Sequence, residues 1–435
     1  DLRNSLKTCL SSNSGMKPQI LSKLFFRVII LIIIREICMP AGVIAQPDLI
    51  HLSLGTKRRF ETTSPVIVTW CSQKNSGKQY VRYGLTPETL FTVKAKKGEF
   101  EDMLVLHGDL KKLKGGTKYY YRCGSDEVGW SRVYSFTSEP DSGSIRIGIL
   151  ADTQNNTNND DFERTRQLAA LLQIYSPMFT LHMGDLVNNG SLSDNWVKLL
   201  EVTQDLNAVS PLMPVLGNHD IQNEPGKDFQ KPFQNFYSLF DLPGDKVNYS
   251  FTYDNTRFIG IFSGYAETAA KVGDVEYNPG SPEYKWLDNE LTRAEKDKDI
   301  RWIILWMHYP VYSYGWSNIK GWRENLLPLI SKHRVDLCLA GHRHVYERHW
   351  QMKNGMPAEN NSGSVYSAGK GTLYITNGTS GGNPTGLGGQ DMVSMAFTPD
   401  RTMYNFAVMD INDRSLNYRV FDQENVLIDN FTIKK

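Results

Sequence analysis

Cysteine is scarce in this chain: five in 435 residues, and only Cys71, Cys123 and Cys338 lie beyond residue 45. So few thiols argue neither for nor against an oxidising compartment. Cys338 sits inside an apolar run and reads as a small buried hydrophobe. Cys71 follows Trp70 on one strand, so the two side chains point to opposite faces. Trp70 takes the core side, and a Cys71–Cys123 bridge is not expected. Charge of one sign is missing too. Lys and Arg total 48 against 47 Asp and Glu, a net charge of +1. That argues against a strongly basic, nucleic-acid-binding surface. No apolar run is long enough to span a bilayer, and there is no internal repeat, low-complexity tract or long charge run.

What is present begins with a leader. Residues 1–15 are polar, and Met16 reads as a start. Lys17, Lys23 and Arg27 precede the apolar run Val28 to Ile34, and Val43-Ile44-Ala45 offers a cleavage site before Gln46. This is a signal-peptide layout. It points to a secreted or lysosome-like protein of the secretory pathway, with no stable membrane insertion after cleavage. Sequons at Asn155, Asn189, Asn248, Asn360, Asn377 and Asn430 are compatible with a glycoprotein.

Three segments follow from the pattern: a leader over 1–45, a β-rich domain over 46–140 and an α/β domain over 145–435. In the β-rich domain Val66 to Trp70, Gln79 to Tyr83, Asp102 to Leu106 and Lys118 to Cys123 read as short strands parted by turn clusters. Such spacing predicts a fibronectin type III-like sandwich, with Tyr119 as a tyrosine corner. Nothing in it looks catalytic, so it reads as an orienting module. Glu139 to Ser144 reads as a linker.

After the linker, apolar strands alternate with helices, the mark of an α/β domain. Strands are expected at Arg146 to Ala151, Met178 to Met183, Met213 to Leu216, Phe258 to Phe262, Trp302 to Met307 and Val335 to Ala340. Helices are expected at Asp160 to Tyr175, Ser193 to Asp205, Pro282 to Lys298 and Trp322 to Lys332. Ser281-Pro282 is a helix-start signal, and Leu287 and Leu291 form an apolar stripe beside a polar one at Trp286 and Glu290. A Gly- and Asn-rich loop is expected from Trp350 to Gly371. Strands resume at Thr372 to Thr376, Asn405 to Asp410, Leu416 to Phe421 and Val426 to Ile433, completing the second sheet of the domain.

Five strand ends carry polar punctuation: Asp152-Thr153-Gln154, Gly184-Asp185, Gly217-Asn218-His219-Asp220, His308 and Gly341-His342-Arg343-His344. Chemistry in α/β folds gathers at the carboxyl ends of strands. Imidazoles at alternate positions suit metal ligation. Each stretch alone is ordinary loop chemistry; all five after apolar strands are not. His182, inside its strand, reads as a satisfied core histidine.

This order of motifs resembles the binuclear metallophosphoesterases. The β-rich domain, His51-Leu52-Ser53-Leu54-Gly55 and Gly341-His342-Arg343-His344-Val345-Tyr346-Glu347-Arg348 narrow the resemblance to the purple acid phosphatase family, in particular its animal, acid phosphatase type 7-like branch. The resemblance implies a metallophosphoesterase domain of two packed mixed sheets flanked by helices. It implies one metal held by Asp152, Asp185 and His344, and a second held by Asp185, Asn218, His308 and His342. Asp185 bridges the two, and His219 contacts substrate and protonates the leaving group. The implied reaction is hydrolysis of phosphate monoesters by a metal-bound hydroxide. The implied partner is a small phosphorylated substrate, with no nucleic acid. Two alternatives stand beside it: a phosphodiesterase or nucleotide-processing enzyme, and a weakly active homologue serving as a binding module.

The sequence departs from the family at two positions. Gln154 stands where the family has glycine, and Asn188 stands where it has a metal-bound tyrosine, three residues after Asp185. The family metals are iron with a divalent partner. Loss of the tyrosinate removes an anion from the first site, disfavours ferric iron and brings Zn or Mn forward beside Fe. A second substrate histidine is not apparent near Ser317 and Asn318. Asn155 to Asp160, Tyr265 to Gly280 and Tyr312 to Trp316 are expected to shape the pocket.

Overall fold

Residues 47–57, 61–74, 76–154, 162–223, 228, 230–264, 277–314, 320–358, 363–386 and 393–435 are described by the computed structural model. The leader, Asn155, Asn360, the expected start of the first helix and much of the expected pocket rim, including Trp316, Ser317 and Asn318, lie outside them.

The short β-rich runs fold as β1 (Asp48–Leu54), β2 (Val66–Gln73), β3 (Tyr80–Gly84), β4 (Phe91–Lys94), β5 (Lys96–Phe100), β6 (Met103–Leu110), β7 (Lys118–Ser125), β8 (Gly129–Trp130) and β9 (Tyr134–Thr137). They form two antiparallel sheets, β1-β2-β6-β5 and β4-β3-β7-β8, with β9 on β7. Tyr119 is a corner: its hydroxyl accepts from the Lys114 N–H at 2.9 Å. Trp70 and Cys71 are both buried, so the second face of β2 is covered as well, and all three described cysteines are free.

That second face is covered by the α/β part. Ile50 N–H donates to Gln204 Oε1 at 2.6 Å, and the Tyr121 hydroxyl donates to the Ala208 carbonyl at 2.7 Å. His51 lies within 2.9 Å of the Leu239 carbonyl through Nε2. Glu139, expected in a linker, is buried. Its carboxylate takes the Ser64 N–H at 2.6 Å and the Lys57 ammonium at 2.6 Å on the sandwich side, and the Asp254 N–H at 2.7 Å on the other. A carboxylate with three donors satisfies its charge inside the protein, which is why a polar residue can sit there.

The α/β part has two mixed sheets. The first orders β12 (Leu212–Pro214), β11 (Phe179–His182), β10 (Ile145–Leu150), β22 (Asn405–Ile411), β23 (Ser415–Asp422), β24 (Leu427–Lys434) and β19 (Val365–Ser367). The second orders β13 (Tyr249–Tyr253), β14 (Thr256–Ile261), β15 (Trp302–Met307), β16 (Leu337–Ala340), β20 (Thr372–Asn377), β17 (Tyr346–Lys353) and β18 (Met356–Pro357), with β21 (Met395–Phe397) on β17. Strand alternation divides the core. Trp302, Ile304 and Trp306 turn inward between the sheets, while Ile303, Leu305 and Met307 face the helices α4 (Pro282–Lys296) and α5 (Lys320–Lys332). On the first sheet, Leu150, Phe406 and Val408 pack against Leu168 and Leu172 of α1 (Glu163–Ile174). Helices α2 (Ser193–Asn207) and α3 (Lys231–Leu239) complete the described set. Ser281 caps α4 by accepting the Tyr284 N–H at 3.1 Å, with Pro282 in the first turn. No helix among the described residues is long and apolar enough to cross a membrane.

Several expectations need correction. The last four expected strands are split: β20 joins the second sheet, while β22, β23 and β24 join the first. The loop expected from Trp350 is partly strand, since β17 runs on to Lys353 and β18 and β19 follow. Two charged residues at the start of β17 are buried with partners: Arg348 Nε donates to Asp429 Oδ2 at 2.8 Å, and Glu347 takes the Tyr314 N–H with both oxygens at 3.1 Å. Glu290, read on a polar stripe, is buried against Arg257 and Ser250.

Candidate metal centre

The seam between the two sheets gathers the singled-out residues. Asp152 and Gln154 follow β10, Asp185 follows β11, and Asn218 and His219 follow β12, all from the first sheet. His308 follows β15, and His342 and His344 follow β16, from the second. The chain turns sharply at these ends. Asp152, Asp185 and His342 have φ of 51°, 52° and 67°, a left-handed backbone that non-glycine residues hold only at a cost. Gly217 is needed for a different reason: a Cβ there would lie 2.2 Å from Asp185 Oδ1.

The buried Asp185 carboxylate is the hub. Its Oδ1 accepts the His219 N–H at 2.8 Å, and its Oδ2 lies 3.2 Å from His308 Nε2. His308 Nε2 and His342 Nδ1 each stand 3.0 Å from Asn218 Oδ1. Asp185, His308 and His342 bring ligand atoms within 4.8 Å of one another. A second pairing brings His344 Nε2 to 3.5 Å from Asp152 Oδ1. Gln154 lies between these two groups. With its Nε2 donating to the Asp185 carbonyl at 3.0 Å, its Oε1 faces His344 Nε2 at 3.1 Å.

Neighbouring groups fix the rings. His308 Nδ1 donates to the Met183 carbonyl at 2.8 Å, and His344 Nδ1 to the Asn383 carbonyl at 2.7 Å. Each ring therefore turns its other nitrogen inward. The His342 N–H donates to both Asp152 oxygens at 2.9 Å. His219 Nδ1 donates to the Asn188 carbonyl at 2.8 Å. Burial alone would raise the Asp185 carboxyl, but the imidazoles of His308, His219 and His342 hold it below the usual carboxylate range. Burial likewise opposes a charged His308, and Asp185 overrides it, pushing the ring up to about 9. His182 goes the other way: burial, then His308, push it down to about 3. Its Nε2 is 2.9 Å from Thr153 Oγ1, while Nδ1 has no hydrogen-bond partner among the described residues, so this core histidine is only half satisfied by them.

Two sequence profiles match the chain: that of the purple acid phosphatase N-terminal domain over residues 47–138, and that of the calcineurin-like phosphoesterases over residues 145–346. The chain thus carries both parts of a purple acid phosphatase, its N-terminal domain and a calcineurin-like phosphoesterase domain. A phosphoenolpyruvate phosphatase of Allium cepa is 27% identical over 383 residues, covering 81% of this chain and 73% of that protein. Human acid phosphatase type 7 is 26% identical over 368 residues, covering 78% of each. A purple acid phosphatase from yellow lupin (Lupinus luteus) seeds shares the fold with a TM-score of 0.76 at 18% identity, over 89% of this chain and 74% of that one. The chain is thus a metallophosphoesterase of the purple acid phosphatase type, with a β-sandwich ahead of an α/β domain.

Two groups at this candidate site escaped the sequence reading. Asp220 is buried; its Oδ1 accepts the Leu186 and Val187 N–H at 2.8 and 3.0 Å, and its Oδ2 accepts the Gly217 N–H at 2.8 Å. It ties the turn after Asp185 to the turn before Asn218. Its place beside Asn218 and His219 was the only signal. The second group is the stretch 378–382 after β20. The Ser380 N–H donates to the Ala151 carbonyl at 2.9 Å and the Gly382 N–H to the Asp152 carbonyl at 2.8 Å. A Cβ on Gly382 would lie 2.5 Å from His344 Cε1, and one on Gly378 2.9 Å from Asp152 Oδ2. Three glycines just past an apolar strand were the readable sign.

Proposed function

We propose that this chain hydrolyses small phosphate monoesters at a site for two metal ions that share Asp185. The observation that carries the reading is that Asp185 meets both groupings: Asn218, His308 and His342 cluster with it, and Gln154 links it to His344, which lies 3.5 Å from Asp152. The donor set fits the metals. Each cluster mixes carboxylate or amide oxygen with imidazole, the ligands that suit Zn, Fe and Mn. Asp152, Asp185, His344 and the Gln154 amide oxygen would hold the first ion; Asp185, Asn218, His308 and His342 would hold the second. With amides at 154 and 188 the first cluster carries two carboxylates and no phenolate, which favours divalent ions over ferric iron. A bound pair supplies Lewis acidity at phosphoryl oxygens and acidifies water at neutral pH.

The protein's own part is to orient and to move a proton. The Met183 and Asn383 carbonyls hold the His308 and His344 rings, so neither has to reorganise on binding. The Asn188 carbonyl holds His219 by Nδ1. That leaves Nε2 as the nitrogen from which a proton passes to the departing alkoxide oxygen. The leader supports delivery into the secretory pathway. Turnover of p-nitrophenyl phosphate tests the reading. Chelation should abolish it, re-addition of Zn, Mn or Fe should restore it, and Asp185→Ala should lose both metal and turnover while keeping its β-sheet signal. Full turnover in the chelated protein, or in Asp185→Ala, would show the two-metal reading to be wrong.

A further inference from the structure

The N-terminal sandwich carries a basic and aromatic face with no part in the centre described above. Along β3 and β7, Val81, Tyr119, Tyr121 and Cys123 are buried, so the residues between them lie on the outer face. Arg82 and Arg122 are register partners there. Lys94 on β4, paired with Tyr80, and Lys118 on β7, paired with Thr137, extend the row of cations. The other strand positions of this face are Thr92, Tyr120, Ser135 and glycines, with no acid among them.

Like charges directly opposite across a ladder are destabilising, so folding alone does not account for Arg82 facing Arg122. The Trp130 ring holds them in place. Arg82 Cζ lies 4.1 Å and Arg122 Cζ 4.9 Å from its centroid. Asp126 in the β7–β8 turn is engaged by Trp130 Nε1 at 2.7 Å and reaches Arg82 only at 3.9 Å. Arg122 Nε has no hydrogen-bond partner among the described residues. Arg122 Nε is itself buried beneath the stack, so what the stack presents outward is two half-buried guanidinium planes fixed on Trp130.

We propose that this face binds an acidic polysaccharide, with carboxylate or sulfate groups on successive sugars. Guanidinium forks pair bidentately with such oxyanions. Tyr80 and Tyr120 are half-buried and present rings whose apolar body packs on a sugar while the hydroxyl stays wet. A sheet face is open and does not enclose a small anion, so the ligand must reach several cations at once. A lipid surface fits less well, because the strand positions of this face carry no aliphatic side chain to enter the acyl region.

The test is binding of the full chain to immobilised heparin and polygalacturonate, with neutral dextran as control. The wild type should be retained on at least one acidic polymer, released by salt, and ignored by dextran. Lys94→Glu/Lys118→Glu, in exposed positions outside the Trp130 stack, and Arg82→Gln/Arg122→Gln should each weaken binding by about tenfold or more. Hydrolysis of p-nitrophenyl phosphate should be unchanged. A wild type that binds neither acidic polymer overturns the proposal, as does a folded lysine variant that elutes with it. Binding to phosphatidylserine vesicles without binding to either polymer would assign the face to a membrane instead.

Discussion

Asp220→Asn isolates the tie between the two turns of the metal centre. The aspartate accepts three backbone N–H groups with two oxygens: Leu186 and Val187 on one, Gly217 on the other. Asparagine keeps the shape but only one oxygen. With that oxygen kept on Leu186 and Val187, the amide nitrogen faces the Gly217 N–H, donor against donor. One buried donor left unsatisfied costs about 1–3 kcal/mol, which the fold survives. Asp220→Ala orphans all three, about 3–9 kcal/mol on the same scale, a large share of the roughly 5–15 kcal/mol that holds a protein folded. The effect on the site is more specific. Pushing Gly217 away moves Asn218 relative to Asp185, and changes of this kind behind metal ligands cost about 10–100-fold in metal affinity or activity. Asp220→Asn should therefore stay folded, with a modestly lower denaturation midpoint. It should lose metal on dialysis and turn over p-nitrophenyl phosphate 10–100-fold more slowly under limiting metal. Metal analysis beside steady-state kinetics reads both. A variant equal to wild type in metal content and rate would refute the argument that this carboxylate sets the spacing of the two turns.

His219→Ala should keep its metals but lose more rate on alkyl phosphates than on aryl phosphates, whose leaving groups need less protonation; equal losses would assign the ring to binding alone. With Asn188 in place of a tyrosinate, the purified protein should be colourless and its optimum nearer neutral than acidic, since water on a divalent ion such as zinc titrates at about 7. Asn188→Tyr, which leaves intact the carbonyl that holds His219, should bring colour with iron, and a purple wild type would sink the reading. Asn377 is buried with Nδ2 donating to Asn405 Oδ1 at 2.7 Å, and Asn248 Oδ1 takes the Phe262 N–H at 2.8 Å. Glycopeptide mapping should find Asn377 unmodified, Asn248 at most sparsely modified, and exposed Asn430 the occupied one of the three; a glycan on Asn377 in folded protein would contradict its packing.

The strand ends bearing Asp152, Asp185, Asn218, His308, His342 and His344 were legible because each follows a run of buried apolar residues and then breaks into polar ones. Hydrophobic pattern reads burial of carbon, and it fails where polar groups are buried in pairs. This is why β17 looked like the edge of a loop: Glu347, Arg348, His349 and Gln351 are all buried, and Glu347 and Arg348 carry their partners with them. The same blindness hid Glu139, whose neighbours Pro140, Asp141, Ser142 and Gly143 read as linker. Asp220 was visible as a letter but not as a role, since its work is done on backbone N–H groups that no side-chain pattern records. The division of the late strands between two sheets depends on which edge each strand meets, and their alternation is the same in either sheet.

The Glu139 carboxylate also bears on how the family can be recombined. Sandwich and α/β part look like interchangeable blocks, yet the charge of this residue is answered from both sides at once. A chimera that took its first 140 or so residues from a relative would bring a carboxylate, or none, to a socket shaped by Asp254. It would also have to meet the Ala208 and Leu239 carbonyls that Tyr121 and His51 now occupy. Each mismatch leaves a polar atom dry and unpaired. Exchange between relatives therefore has to move the facing residues together with the block. A catalytic half expressed alone would leave the Asp254 N–H and the Ala208 and Leu239 carbonyls without the partners that the sandwich supplies.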